Sequence, residues 1–190
     1  MIDGKSITIL GVAWGSQVNS TIRAMEYCLD IFPVFDKAKF ITDITSEIDY
    51  NRFFVEGINN IIDTDFVLNV QADGFIINPN LWSNNFLNFD YVGAPWRWDL
   101  ICGNGGFSLR SKKFLETCAK IKYDKTHYEY SCAPEDWFLC IKNRKFLISN
   151  GIKFADVSTG LKFSFEHPIG ISEEGLENSF GFHGKHHFKK

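Results

Sequence analysis

The sequence predicts an α/β domain with a central, mostly parallel or mixed sheet and helices on both faces. Ser6 to Trp14 (SITILGVAW) and Asp65 to Val70 (DFVLNV) are near-continuous apolar runs of strand length, the pattern of strands buried on both faces. Between them, apolar residues recur at helical spacing. The alternation of strand and helix in the first half is that of a covered parallel sheet, whereas shorter strands in the second half suggest added antiparallel or mixed pairing. With 190 residues, 45% of them hydrophobic, the chain is long enough for one full core and short for two, so a single domain is expected.

The first strand, Ser6 to Trp14, is followed by the break Gly15-Ser16. Ser20-Thr21 offers an N-cap for a helix through Ile22, Met25, Leu29 and Phe32, ended by Pro33. Lys39 to Thr42 is a second, short strand. Tyr50 to Ile62 places Phe53, Phe54, Ile58, Ile61 and Ile62 on one helical face. The third strand, Asp65 to Val70, runs into the turn Gln71-Ala72-Asp73-Gly74. A short helix is expected over Asn80 to Phe89, then strands at Tyr91 to Gly93 and Gly106 to Arg110, and a helix over Lys112 to Lys122 that Ser111 can cap. A loop through Tyr128 and Tyr130 leads to Pro134, and Glu135 to Asn143 reads as a helix with acidic residues in its first turn. Gly151 to Val157 and Leu161 to Phe165 are expected as late strands, and the segment after Pro168 as irregular.

Composition excludes several classes. A net charge of −3 lacks the basic field that phosphate backbones require, so no nucleic-acid partner is expected. The basic tail Lys185 to Lys190 looks like a solvated, partly frayed end. Five cysteines without a Cys-x-x-Cys pair read as buried free thiols of a reducing compartment. Neither a signal peptide nor an apolar run of membrane-spanning length is visible, so no integral membrane contact is expected and the default location is cytoplasmic, in a cell or an infected host.

Four short segments carry candidate chemistry. Asp73 stands where the third strand ends, and ligands of open α/β sheets bind at the carboxyl ends of strands. Its carboxylate suits a hard divalent cation, although an Asp-Gly turn bonding its own backbone explains it as well. Gly103, Gly105 and Gly106 flank Asn104 and permit positive φ or close approach of a substrate to backbone; a tight hairpin would also use them. The segment lacks the Lys-Ser/Thr ending of a phosphate-cradling loop. Glu135 and Asp136 open a helix, where they serve either as capping charges or as a general base. His183, between glycines and aromatics, can complete a Mn2+ shell. Trp96, Arg97 and Trp98 add aromatic faces for a sugar and a cation for a diphosphate, or simply core.

Taken in order, VQADGFIINPN, YVGAPW, GNGGFSLRS, PEDWFLC, KFSFE and FGFHG resemble the GT-A-fold glycosyltransferases, in particular a group of small transferase domains of bacteria, large DNA viruses and eukaryotic microbes. The resemblance runs from about the third strand to the end. It implies a Rossmann-like GT-A domain with residues 1–75 as its nucleotide-binding half and 76–190 as its acceptor and metal half. It implies Mn2+ or Mg2+ held by Asp73 and His183, Asp136 as the base of an inverting transfer, and Glu135 as its neighbour or an acceptor ligand. A nucleotide-diphosphate sugar of the UDP or GDP type would lie near Gln71, Ala72, Asp73, Trp96, Arg97, Asn104, Gly105 and Gly106, with a glycan or glycoprotein as acceptor. Trp14, Gly15 and Asp43, at ends of the first two strands, are candidates for base and ribose. Gln71 departs from the family pattern, in which an aspartate stands first in the acidic motif. A metal-dependent phosphoester hydrolase using Asp73, Asp136 and His183, or a catalytically silent carbohydrate-binding module, are the alternatives.

Overall fold

Every residue of the first strand, β1 (Ile7–Val12), is buried, as its unbroken apolar run requires. The computed structural model describes residues 2–127, 131–171 and 174–188; the loop expected through Tyr128 and Tyr130, and the tail residues Lys189 and Lys190, lie outside the described residues. β2 (Lys37–Ile41) and β3 (Phe66–Val70) flank β1 in parallel. The chain then adds β4 (Gly74–Ile76), β5 (Tyr91–Gly93), β6 (Pro95–Trp96), β7 (Ile101–Cys102), β8 (Ser108–Ser111), β9 (Ser164–Phe165) and β10 (Gly181–His183). The main sheet has the order β2-β1-β3-β8-β5. β8 is antiparallel to both neighbours, so the sheet is parallel on one side and antiparallel on the other, the mixed pairing expected of the shorter late strands. A smaller sheet, β4-β10-β9, and the hairpin β6-β7 complete the pairing.

Side-chain alternation sends successive residues of a strand to opposite faces, and the core divides accordingly. Leu10, Val67, Phe54, Phe114 and Leu139 pack on one face, while Ile9, Leu68, Met25, Phe107 and Phe163 pack on the other. The helices behind these contacts are α1 (Val18–Ile31), α2 (Glu47–Arg52), α3 (Lys112–Cys118), α4 (Glu135–Trp137), α5 (Arg144–Ser149) and α6 (Val157–Phe163). All five cysteines are unpaired and buried. Among the described residues no helix is long and apolar enough to cross a membrane.

Several boundaries differ from the sequence pattern for local reasons. α1 starts before Ser20: Gly15 adopts φ +57° and turns the chain into a 3₁₀ turn over Gly15–Gln17 directly after Trp14. α2 begins at Glu47 because Ser46 accepts the Asp49 N–H, and it continues as a π turn and a 3₁₀ turn to Asn60. Asn80 to Phe89 forms 3₁₀ turns within Pro79–Leu81 and Asn84–Asn88 rather than a helix. Ser111 does cap α3 by accepting the Phe114 N–H, although the helix stops at Cys118. Residues 151–157 contribute one bridge, Phe154 to Tyr91. The strand expected over Leu161 to Phe165 is largely α6, because the Asp156 carboxylate accepts the Thr159 N–H and nucleates a helix there. The basic tail is not wholly frayed: Lys185–His187 form a 3₁₀ turn, and the half-exposed Phe188 packs near Phe75 and Phe182.

Phe163 locks α6 to the sheet, fully buried and stacked on Phe107 at 5.1 Å between ring centroids. Phe163→Ala is expected to cost about 3–5 kcal/mol in urea denaturation. A loss below about 1 kcal/mol would place Phe163 outside the core.

Candidate active site

The site begins where β3 ends. The turn after Val70 is closed by Gln71 N–H to Gly74 O at 2.8 Å and Gly74 N–H to Gln71 O at 3.1 Å, and Gly74 runs straight into β4. β4 pairs antiparallel with β10 in a register that sets Gly74 opposite His183. This pairing, across more than a hundred residues of sequence, brings Asp73 beside His183. The Gly184 N–H donates to Asp73 O at 2.7 Å, and His183 Nε2 lies 3.9 Å from Asp73 Oδ1.

The other ring nitrogen of His183 is held from behind. Nδ1 is 3.1 Å from Glu166 Oε1 and 3.0 Å from Asn104 Nδ2, which itself donates to Glu166 Oε1 at 3.0 Å. Nδ1–H donating to Glu166 satisfies this triangle and leaves the Nε2 lone pair toward Asp73 in the neutral ring. Burial presses the His183 pKa down, but the Glu166 hydrogen bond and charge, with Asp73 and Asp136, outweigh it, so the pKa lies above the ordinary imidazole value. Asp73 and His183 fit a divalent cation by donor type: one carboxylate and one imidazole whose far nitrogen is fixed by a second carboxylate. Among the described residues no group of three or more His, Cys, Asp or Glu is placed to hold an ion. An ion here would therefore draw the rest of its shell from substrate oxygens and water, as Mg2+ commonly does.

The glycine loop lies between this pair and the acidic pair. Gly103, Gly105 and Gly106 are not at positive φ; space, not turn conformation, demands them. A Cβ on Gly105 would fall 2.2 Å from Glu135 Oε1, and one on Gly106 would fall 2.1 Å from His183 Nε2. The Gly105 N–H donates to Asp136 Oδ2 at 3.0 Å, and Gly105 O accepts from Asn69 Nδ2 at 2.8 Å and from Ser108 Oγ at 3.0 Å. Gly106 N–H donates to Asn104 Oδ1 at 3.0 Å.

The two acidic residues at the start of α4 have different surroundings. Glu135 is buried, and its oxygens accept from Arg110 Nη2 at 2.7 Å and Nη1 at 3.0 Å. Arg110 is fully buried, with its guanidinium 4.8 Å from the Phe54 ring centroid and 5.4 Å from that of Tyr91. Asp136 also lines the cleft but is only partly buried and has no arginine partner among its hydrogen bonds. Burial, then the Glu135 charge, push its pKa up to about 6 against the hydrogen bonds from Gly105 and Trp137.

The cleft has a volume of about 400 Å³, and Trp14, Gln17, Glu47, Tyr50, Gln71, Gly106, Glu135, Asp136 and His183 are among its lining residues, with no Lys or Arg among the described ones. Trp14 follows β1 and leans on Tyr50 at 5.1 Å between ring centroids, and the Tyr50 hydroxyl accepts from Gln71 Nε2. Asp73, Asn104 and Gly105 are not among the lining residues, although their neighbours His183 and Gly106 are. Gly15 is exposed in the turn after Trp14, and Asp43 is exposed outside the lining. Ala72 faces a separate depression with Tyr27, Phe75 and Phe188. Trp96 is buried, and Arg97 is exposed in the turn of the β6-β7 hairpin; neither lines the cleft.

Sequence reasoning gave no role to Arg110, Glu166, Tyr50 or Asn51, whose Oδ1 accepts the Glu135 N–H at 2.9 Å. A signal existed for Arg110. An arginine inside the apolar strand of GFSLRS must be buried, and a buried charge requires an acid.

Residues 35–183 match the model of a family described as "Protein of unknown function (DUF5672)". No curated protein matches the chain. Among solved structures, a glycosyltransferase involved in the glycosylation of the major capsid of PBCV-1 is similar at 14% identity and a TM-score of 0.62, over 94% of this chain and 92% of that one. A197 from STIV aligns at 12% identity and a TM-score of 0.45, over 78% and 79%. The galactosyltransferase LgtC aligns at 10% identity and 0.46, over 93% and 86%. The first of these likenesses shows the fold, a GT-A-like mixed α/β domain.

Arg110→Met strands the Glu135 carboxylate without its partner and is expected to cost about 3–5 kcal/mol, whereas adding Glu135→Leu should recover much of that loss. Urea denaturation of the two variants checks this; a single-variant cost below about 1 kcal/mol would show the pair to be dispensable.

Proposed function

The chain belongs to the DUF5672 family, and from the geometry of its cleft we propose that it is a metal-dependent glycosyltransferase. It moves a sugar from a nucleotide-diphosphate sugar of the UDP or GDP type to a hydroxyl of a glycan or glycoprotein, with inversion at the anomeric carbon. One observation carries the proposal: Asp136, a carboxylate with a raised pKa, lies in the same cleft as His183, which is paired with Asp73, and only the glycine loop separates them. The fold shared with the capsid-modifying glycosyltransferase of PBCV-1 supports it at the level of architecture.

Each residue has a task that its surroundings suit. Asp136 accepts the proton of the acceptor hydroxyl as that oxygen attacks the anomeric carbon and the nucleoside diphosphate departs. Glu135 has both oxygens committed to Arg110, so it positions Asp136 rather than sharing its work. Asp73 and His183 would hold Mn2+ or Mg2+, which when bound supplies positive charge against the diphosphate. Trp14 and Tyr50 offer aromatic faces to the base, with Gly15 and Gln71 beside them, and Asn104, Gly105 and Gly106 bring backbone to the sugar. Residues 1–75 thus carry most of the nucleotide side and 76–190 most of the acceptor side. Asp43, Ala72, Trp96 and Arg97 stand outside the cleft lining and are left out of the donor site proposed, whereas Asp73, Asn104 and Gly105, also outside the lining, enter it through their approach to His183 or Asp136.

Sugar nucleotides with Mn2+ should yield free nucleoside diphosphate. Asp136→Asn is expected to lower that rate by about 10²–10⁴-fold while sparing donor binding. Full activity in this variant would move the base elsewhere, and no turnover or binding of any UDP or GDP sugar would defeat the proposal.

Because only ionised Asp136 accepts a proton, the rate should rise with pH through about 6 and then level off. Stability runs the other way. A carboxyl whose folded pKa exceeds its unfolded value contributes stability below the unfolded pKa and loses it as pH climbs through the folded one. The melting temperature of the wild type should therefore fall relative to Asp136→Asn between pH 4 and 7.5; a pH-independent difference would contradict the raised pKa.

A further inference from the structure

The two tryptophans of the β6-β7 hairpin have opposite surroundings. Trp96 is buried with its ring against Gly103, where a Cβ would come within 2.3 Å of it. Ala94 O accepts the N–H groups of Gly103 and Asn104 at 3.3 and 3.1 Å, so the hairpin is fixed to the start of the glycine loop. Trp98, by contrast, is 66% exposed in the turn, and Leu100, held at φ +49°, is 51% exposed. A tryptophan left so far in water is informative, because most of its large apolar area goes unburied. The Arg97 guanidinium lies 5.8 Å from the Trp98 ring centroid, within the range of cation–π attraction, and this favours a defined placing of the two side chains.

The base of the hairpin is bonded to Asn104, whose side chain meets Glu166 and His183 at 3.0 Å each. The cleft, at about 400 Å³, is of a size for one small ligand. A second substrate has to be held at its rim.

We infer that Trp98 and Arg97 form the acceptor platform, on which a pyranose ring stacks its C–H face against the indole while Arg97 donates hydrogen bonds to its hydroxyls. This assignment rests on the glycosyltransferase proposal, and it moves Arg97 from the donor diphosphate to the acceptor. The electron-rich indole face suits the weakly positive C–H groups of a sugar. Arg97 and Asp99, both exposed in this turn, leave it without net charge, so it lacks the cluster of cations that grips an anionic membrane surface, and a saccharide fits better than a lipid surface.

The test is saturation-transfer NMR with methyl glycosides of glucose, galactose, mannose, rhamnose, fucose and xylose, on wild type, Trp98→Ala and Trp98→Phe. Thermal shifts with UDP and GDP plus Mn2+ are read on the same samples. At least one glycoside should bind wild type, weaken about tenfold or more in Trp98→Ala, and persist in Trp98→Phe, with nucleotide shifts equal in all three. The platform is overturned if no glycoside binds wild type, or if Trp98→Ala binds as well as wild type. It is also overturned if, in co-sedimentation of the same samples with phosphatidylserine-containing vesicles, vesicle binding is the only property that Trp98→Ala loses. Glycoside binding that depends on Trp98 without any nucleotide shift in wild type would instead overturn the transferase proposal and, with it, the role of this surface as an acceptor site.

Discussion

Arg110 and Glu135, two opposite charges removed from water beneath the cleft, are the pair on which the rest of the site depends. Burying either one alone would be prohibitive, and together they are tolerable only because the guanidinium meets both carboxylate oxygens and lies against the rings of Phe54 and Tyr91. The pair ties β8 to the first turn of α4. It also leaves no room for a side chain on Gly105, so the glycine loop has to pass close over it. Asp136, the next residue, is thereby held against the Gly105 N–H, and its burial, then the neighbouring Glu135 charge, raise its pKa against that hydrogen bond.

A second, independent constraint builds the other half of the site. β10 returns from the end of the chain to pair with β4, and Glu166, just after β9, holds the back of the His183 ring. Asn104 connects the two halves: its amide nitrogen reaches Glu166 and its oxygen accepts from Gly106. The base candidate and the candidate metal ligands are thus set in position through one loop of four residues, Gly103 to Gly106. Pre-organisation of this kind suits a reaction whose barrier is lowered by placing charge where it develops.

Much of the fold was legible in the sequence because its central strands are buried on both faces. β1 and β3 show as apolar runs, and the turn at Asp73 falls at a strand end as expected. The late elements were harder to read. Val157 to Phe163 is a helix because one side chain, Asp156, caps it, and a short apolar stretch with a glycine carries no helical period strong enough to reveal that. The site was legible as types of residue but not as pairs. Nothing local in Pro134-Glu135-Asp136 tells which acid is buried; the answer lies in Arg110, brought across by the sheet. Likewise Trp96 and Trp98 are equivalent as sequence, and only the packing of Gly103 against Trp96 distinguishes core from surface.

The proposed transfer requires the cleft between Asp136 and His183 to receive a nucleotide sugar, with its base against Trp14 and Tyr50 and its diphosphate at Asp73 and His183. A crystal structure of the chain with UDP or GDP and Mn2+ tests this directly. The base is expected on the Trp14–Tyr50 side of the cleft and the ion on Asp73 and His183. A nucleotide bound elsewhere, or an ion that neither residue touches, would contradict it.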